Sequence, residues 1–348
     1  MRGIDRTALY ARRSGSQLRI ARHGYGVVHR HGSLSMRGMN GGFWVSDVLN
    51  GLAIASKKAV HRLLVAPRQR RRWAAARAPF DHRTPEGLTF RLYPHEYVDS
   101  FIYQFGIYER QYLDFLLKVL PRDAVMLDIG ANIGNHALYL ARHIAAIHAF
   151  EPNPVTFARL KHNVASNGLE DRVTLHHVGL GDEEGMFRFA SNVSGNLGAS
   201  GFLRGDEAAD ARVEVIELPI RRADDYVAAL DLPKVDFVKL DVEGWEASVF
   251  RGLAGTIARH RPIVAFEYHG HEQPRSDFDA IVAALPGYTI IDPAFAPAQA
   301  SYAAKALWAI RRAGWPELRR VTDPEPRTYE SLLAFPNEEL LARFDRKD

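Results

Sequence analysis

The stretch Val125-Met-Leu-Asp-Ile-Gly-Ala-Asn-Ile-Gly-Asn-His136 constrains this chain more than any other. An apolar run from Ala124 to Leu127 enters Asp128, passes Gly130 and Gly134, and continues into the amphipathic run from Ala137 to Leu140. That order predicts a buried parallel strand, a tight glycine turn and a helix N-terminus. Without a Cβ at the glycines the backbone can come close to a ligand. The unpaired N–H groups of the first helical turn favour a negative group there. Asp128 ends the strand and is aimed into the crevice outside the carboxyl ends of a parallel sheet.

The spacing is Gly-x-x-x-Gly, with Asn132 where a dinucleotide fold places its second glycine. This weighs against a nicotinamide dinucleotide. Glu151 ends the next apolar run, Ile147 to Phe150, where an acid can hold both hydroxyls of a ribose. A ribose-bearing ligand with an amino-acid tail suits Asp128 and this loop better than a pyrophosphate. An ordinary strand-turn-helix with an acid at its end is the plainer alternative.

Three blocks then align in order: Leu127-Asp-Ile-Gly-Ala-Asn-Ile-Gly-Asn135, Ala149-Phe-Glu-Pro-Asn-Pro154 and Val238-Lys-Leu-Asp-Val-Glu-Gly-Trp-Glu246. Together they resemble the signature blocks of the FkbM family of class I S-adenosylmethionine-dependent methyltransferases, over roughly residues 100 to 336. The resemblance implies a Rossmann-like α/β fold whose seven-stranded, mostly parallel sheet ends on an antiparallel strand, Ser331-Leu-Leu-Ala-Phe335. It also implies a cofactor, S-adenosyl-L-methionine, whose amino-acid end falls to Asp128, Gly130, Asn132, Gly134 and Asn135. Glu151 takes the ribose hydroxyls, Asn153 supports that loop, and Asp182 is a candidate for the adenine amino group. Gly106-Ile-Tyr-Glu109 resembles an element ahead of the cofactor loop in the family, which makes Tyr108 a substrate-side candidate. Asn196 and Gly198 match an Asn-x-Gly element, read as a substrate lid against the simpler hairpin connection. The implied acceptor is a hydroxyl of a sugar, glycan or small polyhydroxylated metabolite.

The alternation of strands and helices from residue 125 onward predicts the same α/β class independently. Strands are expected at 125–129, 146–150, 173–178, 235–240, 263–267, 288–291 and 331–335, with alternating runs at 186–189 and 213–218 forming an insertion. Before this body lie two basic segments. Residues 1–80 hold sixteen Lys/Arg against two Asp/Glu, so with the whole chain at +4 the remainder carries about −10. A catalytic body of that sign does not fit a nucleic-acid enzyme. Residues 1–42 read as a disordered extension without the apolar core of a secretory signal, and Met36 or Met39 offers a later start. Residues 43–87 form a basic helical segment containing Arg68-Gln-Arg-Arg-Arg72, expected either to pack on the body or to touch an anionic membrane weakly. Residues 88–348 are the methyltransferase domain, with a cap at 88–120 and a helical appendage at 294–328. A cytoplasmic protein, peripheral at the membrane at most, follows from the lack of any apolar run near ~18 residues. The absence of cysteine excludes disulfides, thiolate metal sites and cysteine nucleophiles.

Methyl transfer to a hydroxyl is an in-line displacement that asks the protein for positioning and a proton acceptor. Asp241 and Glu243 follow the apolar run Val235 to Leu240 and face the same way if the pleat continues. His269, two residues after Glu267, is the general-base candidate by its ordinary pKa range. Asp241, Glu267 and His269 could instead hold a divalent metal, although their spacing specifies none and no metal is expected. Two rivals remain: a nicotinamide-linked oxidoreductase, and a non-catalytic nucleoside-binding module on the same fold.

Overall fold

A computed structural model describes residues 66–94, 96–192, 200–203, 213–295 and 315–344. The first basic segment, residues 1–42, and most of the second lie outside these, as do Asn196, Gly198 and Trp308.

Eight strands form the main sheet. Chain order gives β3 (Val125–Ile129), β4 (Ala146–Phe150), β5 (Val173–His176), β10 (Phe237–Leu240), β11 (Ile263–His269), β12 (Thr289–Ala294), β13 (Glu317–Arg320) and β14 (Thr328–Phe335). Spatial order is β13-β12-β14-β11-β10-β3-β4-β5. The five strands from β11 to β5 are parallel, while β14 runs antiparallel to β11 and β12, and β13 antiparallel to β12. The chain winds outward from β3 through β4 to β5, then resumes on the other side at β10. The sheet therefore has its topological switch point between β3 and β10, where ligand crevices form.

Strand β3 is buried at all five positions, as a strand covered on both faces must be. Met126 joins the core on one face and Leu127 the core on the other, the period-two alternation of a pleat. The first core includes α3 (Arg110–Val119), α4 (Asn135–Leu140) and α5 (Pro154–Ser166). The second includes α6 (Ala223–Ala229), α7 (Glu246–Gly252), α8 (Ala254–His260) and α9 (Arg275–Ala284).

The insertion is a second sheet, β6 (Gly179–Gly181), β7 (Gly185–Asn192), β8 (Gly201–Phe202) and β9 (Val213–Arg222), in the order β6-β9-β7-β8. Both alternating runs of the sequence are here, paired antiparallel.

Three expectations need correction. The main sheet has eight strands, because Glu317–Arg320 pairs onto β12 inside the segment expected to be a helical appendage. The boundary at residue 87 falls in the turn of a hairpin, where β1 (Phe80–Arg83) pairs with β2 (Thr89–Leu92). The edge of β2 is closed by two asparagines of α5 rather than by another strand: Asn163 accepts from Arg91 N–H at 2.8 Å, and Asn167 accepts from Thr89 N–H at 2.8 Å. Among the described residues of the basic segment the helix is α1 (Ala66–Ala75), whose Trp73 packs on Phe80 and on Tyr103 of α2 (Tyr97–Phe105). Among the described residues no helix is long and apolar enough to cross a membrane.

Candidate active site

The glycine loop is held by the protein's own backbone. Gly130 has φ +82°, and a Cβ there would lie 1.8 Å from the carbonyl oxygen of Asp241. Gly134, at φ +89° ahead of α4, would drive a Cβ to 2.6 Å from Leu138 and 2.7 Å from Leu160. Both glycines therefore admit close internal packing, where the sequence suggested close approach of a ligand. Asn132 sits at φ +50°, a left-handed conformation that asparagine tolerates better than most residues. Its N–H donates to Glu151 Oε2 at 3.0 Å.

Glu151 closes β4 as expected. Its other oxygen accepts from Asn153 N–H at 2.9 Å, so each oxygen has one backbone donor and retains acceptor capacity. Burial pushes its pKa up to about 7 against these two donors. The Asn153 side chain caps α5 by accepting from Val155 N–H at 3.0 Å, so its contribution to the loop is through its backbone.

Between β3 and β10 lies a residue the motif reading passed over. Lys239 is the register partner of Asp128, and its ammonium is 3.8 Å from Asp128 Oδ1 and 3.0 Å from Asp241 Oδ2. Burial opposes its charge, yet the two carboxylates raise its pKa above the ordinary value. Asp128 is fully enclosed, and among the described residues neither of its oxygens meets a hydrogen-bond donor. Burial raises its pKa, with Lys239 acting against the rise. Asp128, which the sequence aims into the crevice, is thus fully buried beside it.

Asp241, Glu243 and Glu267 bring carboxylate oxygens within 4.8 Å of one another. The pleat does not produce this. Strand β10 ends at Leu240 and Glu243 adopts φ +51°, so a turn brings the acids together. That turn is fastened from behind by the buried Glu246, which accepts from Val242 N–H and Gly244 N–H, each at 3.2 Å. Gln273, also unmarked in the sequence, donates to Glu246 Oε2 at 2.7 Å and accepts from His269 N–H at 2.8 Å. It ties the ends of β10 and β11 together.

Burial and the neighbouring carboxylates hold Glu243 well above the usual carboxylate range, and burial pushes Glu267 up to about 7. Asp241 is the ionised member, held low by Lys239 in spite of its burial. His269 lies 3.2 Å from Glu267, outside hydrogen-bond alignment, and the Glu267 carboxylate raises its pKa to about 9. At neutral pH it is therefore a cation with no lone pair to offer, and not the ready base expected from the ordinary histidine range.

The cap meets this group through Tyr108. Asn135 accepts from Tyr108 N–H and donates to Tyr108 C=O, both at 3.0 Å, so its side chain holds the cap. The next residue, Glu109, pairs with His136 of α4 at 2.9 Å. Burial raises the Tyr108 phenol, and Glu109, Glu330 and Asp241 raise it further. Asp182 has partners within the chain: its oxygens accept from Ser248 and Arg251 of α7, each at 2.6 Å.

The structure thus gathers Asp128, Glu151, Asp241 and Glu243 around the switch point, with Tyr108 and Asn135 over it. Residues 128–290 match the methyltransferase FkbM domain. The chain is 29% identical over 167 residues to the hexuronic acid methyltransferase AglP of Haloferax volcanii, covering 48% of this chain and 65% of AglP. It is 30% identical over 183 residues to the 2-O-methyltransferase NoeI of Sinorhizobium fredii, covering 49% and 74%. With the 31-O-demethyl-FK506 methyltransferase FkbM of Streptomyces tacrolimicus it shares 29% identity over 230 residues, covering 57% and 85%. The chain thus spans just under two thirds of AglP and more of the other two. Residues 128–290 contain Asp128, Glu151, Asp241, Glu243 and Glu267, and the chain belongs to the FkbM methyltransferase family.

Proposed function

We propose that this protein is an S-adenosylmethionine-dependent O-methyltransferase acting on a hydroxyl of a sugar or other small polyhydroxylated molecule. The observation that carries the cofactor reading is Glu151. It is a buried carboxylate at a strand end whose two oxygens each have one backbone donor and acceptor capacity left for a pair of adjacent hydroxyls. The enclosed, donor-less carboxyl of Asp128 and the ammonium of Lys239 fix the charge of the wall beside it.

S-adenosylmethionine, when bound, supplies an electrophilic methyl group on a sulfonium. The chain supplies position and a proton acceptor. Attraction of a carboxylate for a sulfonium weakens as the methyl leaves, so Asp241 cannot accelerate transfer by that attraction alone. Its fixed charge, held by Lys239, instead orients what binds above it. The hydroxyl proton of the acceptor goes to the carboxylate group, with Glu267 the best matched member because its pKa of about 7 lies near the working pH. His269, charged beside it, stabilises the ionised form of Glu267. This moves the base role from the histidine to the acid.

Calorimetric titration with S-adenosylhomocysteine tests the reading, with NAD as control. The wild type binds the first and not the second, and Glu151→Ala weakens binding at least tenfold. Unchanged affinity in that variant, or binding of NAD alone, refutes the assignment.

A further inference from the structure

Helix α2 carries Tyr97, Phe101 and Phe105 four residues apart, one stripe along one face. Its opposite face buries Ile102 and Asp99, the latter paired with the buried Arg159. Tyr97 is 58% and Phe105 48% exposed, unusual for aromatic side chains. The rings form a ladder that leads inward. Phe101 meets Phe105 at 4.9 Å and Tyr108 edge-on at 5.1 Å, and Tyr97 meets Tyr108 at 6.5 Å. Tyr108 is clamped to Asn135 and feels the charge of Asp241. A solvent-facing aromatic surface is thus continuous with the acid group.

Carboxyls outnumber basic groups around that surface. Asp241, Glu243, Glu267, Glu109 and Glu330 are the acids, against Lys239, His136 and His269. Each of these basic groups already has a carboxyl beside it: Lys239 has Asp241, His136 has Glu109, and His269 has Glu267. Among the described residues around it, no basic group is left over for an incoming anion. A ligand matching both features has an apolar ring face, hydroxyl donors at its edge and no negative charge.

We infer that the Tyr97–Phe101–Tyr108 ladder is the acceptor platform, and that it takes the C–H face of a neutral pyranoside in preference to the corresponding uronate, because the basic groups beside it are already paired. This rests on the methyl-transfer reading and sharpens it. The relative AglP is named for a hexuronic acid, so the inference separates this chain from that specificity.

Saturation-transfer NMR tests it, using protein loaded with S-adenosylhomocysteine and two probes, methyl β-glucopyranoside and its uronate. Calorimetry on the same samples reports cofactor binding separately, so failure of the methyl-transfer reading registers there. The expected result is transfer to the ring protons of the neutral probe and at least tenfold weaker binding of the uronate. Transfer to the neutral probe should be lost in Tyr97→Ala/Phe101→Ala while affinity for S-adenosylhomocysteine is kept. Equal binding of the uronate, no transfer to the neutral probe, or transfer that survives in the double variant overturns the inference. Coverage of the stripe by residues 1–65 of this chain would give the second of these results.

Discussion

Replacing Lys239 by methionine is the sharpest test of how the site is held together. The ammonium is 3.0 Å from Asp241 and 3.8 Å from Asp128. At an effective dielectric near 20, unit charges at these separations interact by about 5 and about 4 kcal/mol. The Asp241 side chain is 38% exposed, so water screens it and its share falls to about 1 kcal/mol or less. Asp128 has no such recourse. Deprived of the ammonium, it takes up a proton, and starting from the ordinary aspartate value of 3.8 that costs at most about 4 kcal/mol at pH 7. Part of this is already present, because the wild-type pKa is raised. The net expectation is a loss of about 2–4 kcal/mol at pH 7. An acid with a folded-state pKa above its unfolded one loses stability as pH rises between the two values. The deficit of Lys239→Met should therefore shrink by up to about 1.4 kcal/mol per unit as pH falls toward 4. Urea unfolding of both proteins at pH 5, 6 and 7.5 measures it. Adding Asp128→Asn to the variant removes the enclosed charge and should recover most of the loss at pH 7.5. A deficit below about 1 kcal/mol, or one flat with pH, refutes the idea that Lys239 neutralises an enclosed carboxylate.

Gly130→Ala combines a left-handed φ with a Cβ 1.8 Å from the Asp241 carbonyl; a loss of about 3–5 kcal/mol and of S-adenosylhomocysteine binding is expected by calorimetry. Asn135→Ala removes both bonds to Tyr108, an expected cost of about 2 kcal/mol in urea unfolding, with KM for the acceptor rising more than kcat falls. Affinity for S-adenosylhomocysteine should tighten about tenfold from pH 6 to pH 8 as Glu151, with its pKa of about 7, ionises and becomes a full acceptor. The same titration of Glu151→Gln should be flat.

Much of this was legible because burial on both faces leaves a strong pattern. The runs at 125–129 and 146–150 are nearly continuous apolar stretches, and the strands have those bounds in the structure. Glu317–Arg320 escaped because an edge strand of four polar and apolar residues, two of them exposed, has no period to detect. Glu151 was legible because one backbone donor from the glycine loop and one from its own helix start require an acceptor at that strand end. The partners of Asp182 were not legible because a Gly-Asp turn says nothing about which helix its carboxylate will meet. That helix, α7, is 66 residues further on. His269 was judged on its ordinary pKa, whereas its charge is set by Glu267, two residues earlier on the same strand.

Lys239 shows most clearly what a motif can hide. A lysine in the apolar run Val-Asp-Phe-Val-Lys-Leu240 is an anomaly by composition alone, since a buried ammonium needs a partner. The partners follow from register. Parallel pairing of β10 with β3 sets Lys239 opposite Asp128, and Asp241, two residues on, is on the same side of the chain. The Gly130 contact then has a second meaning. The carbonyl that a Cβ would strike belongs to Asp241, so the loop that carries the cofactor residues and the strand end that carries the acids are seated directly on each other. Any side chain at 130 would part them and shift Asp241 away from Lys239. Cofactor cradle and acid group are therefore one mechanical unit, and a defect in either should appear in the binding properties of both.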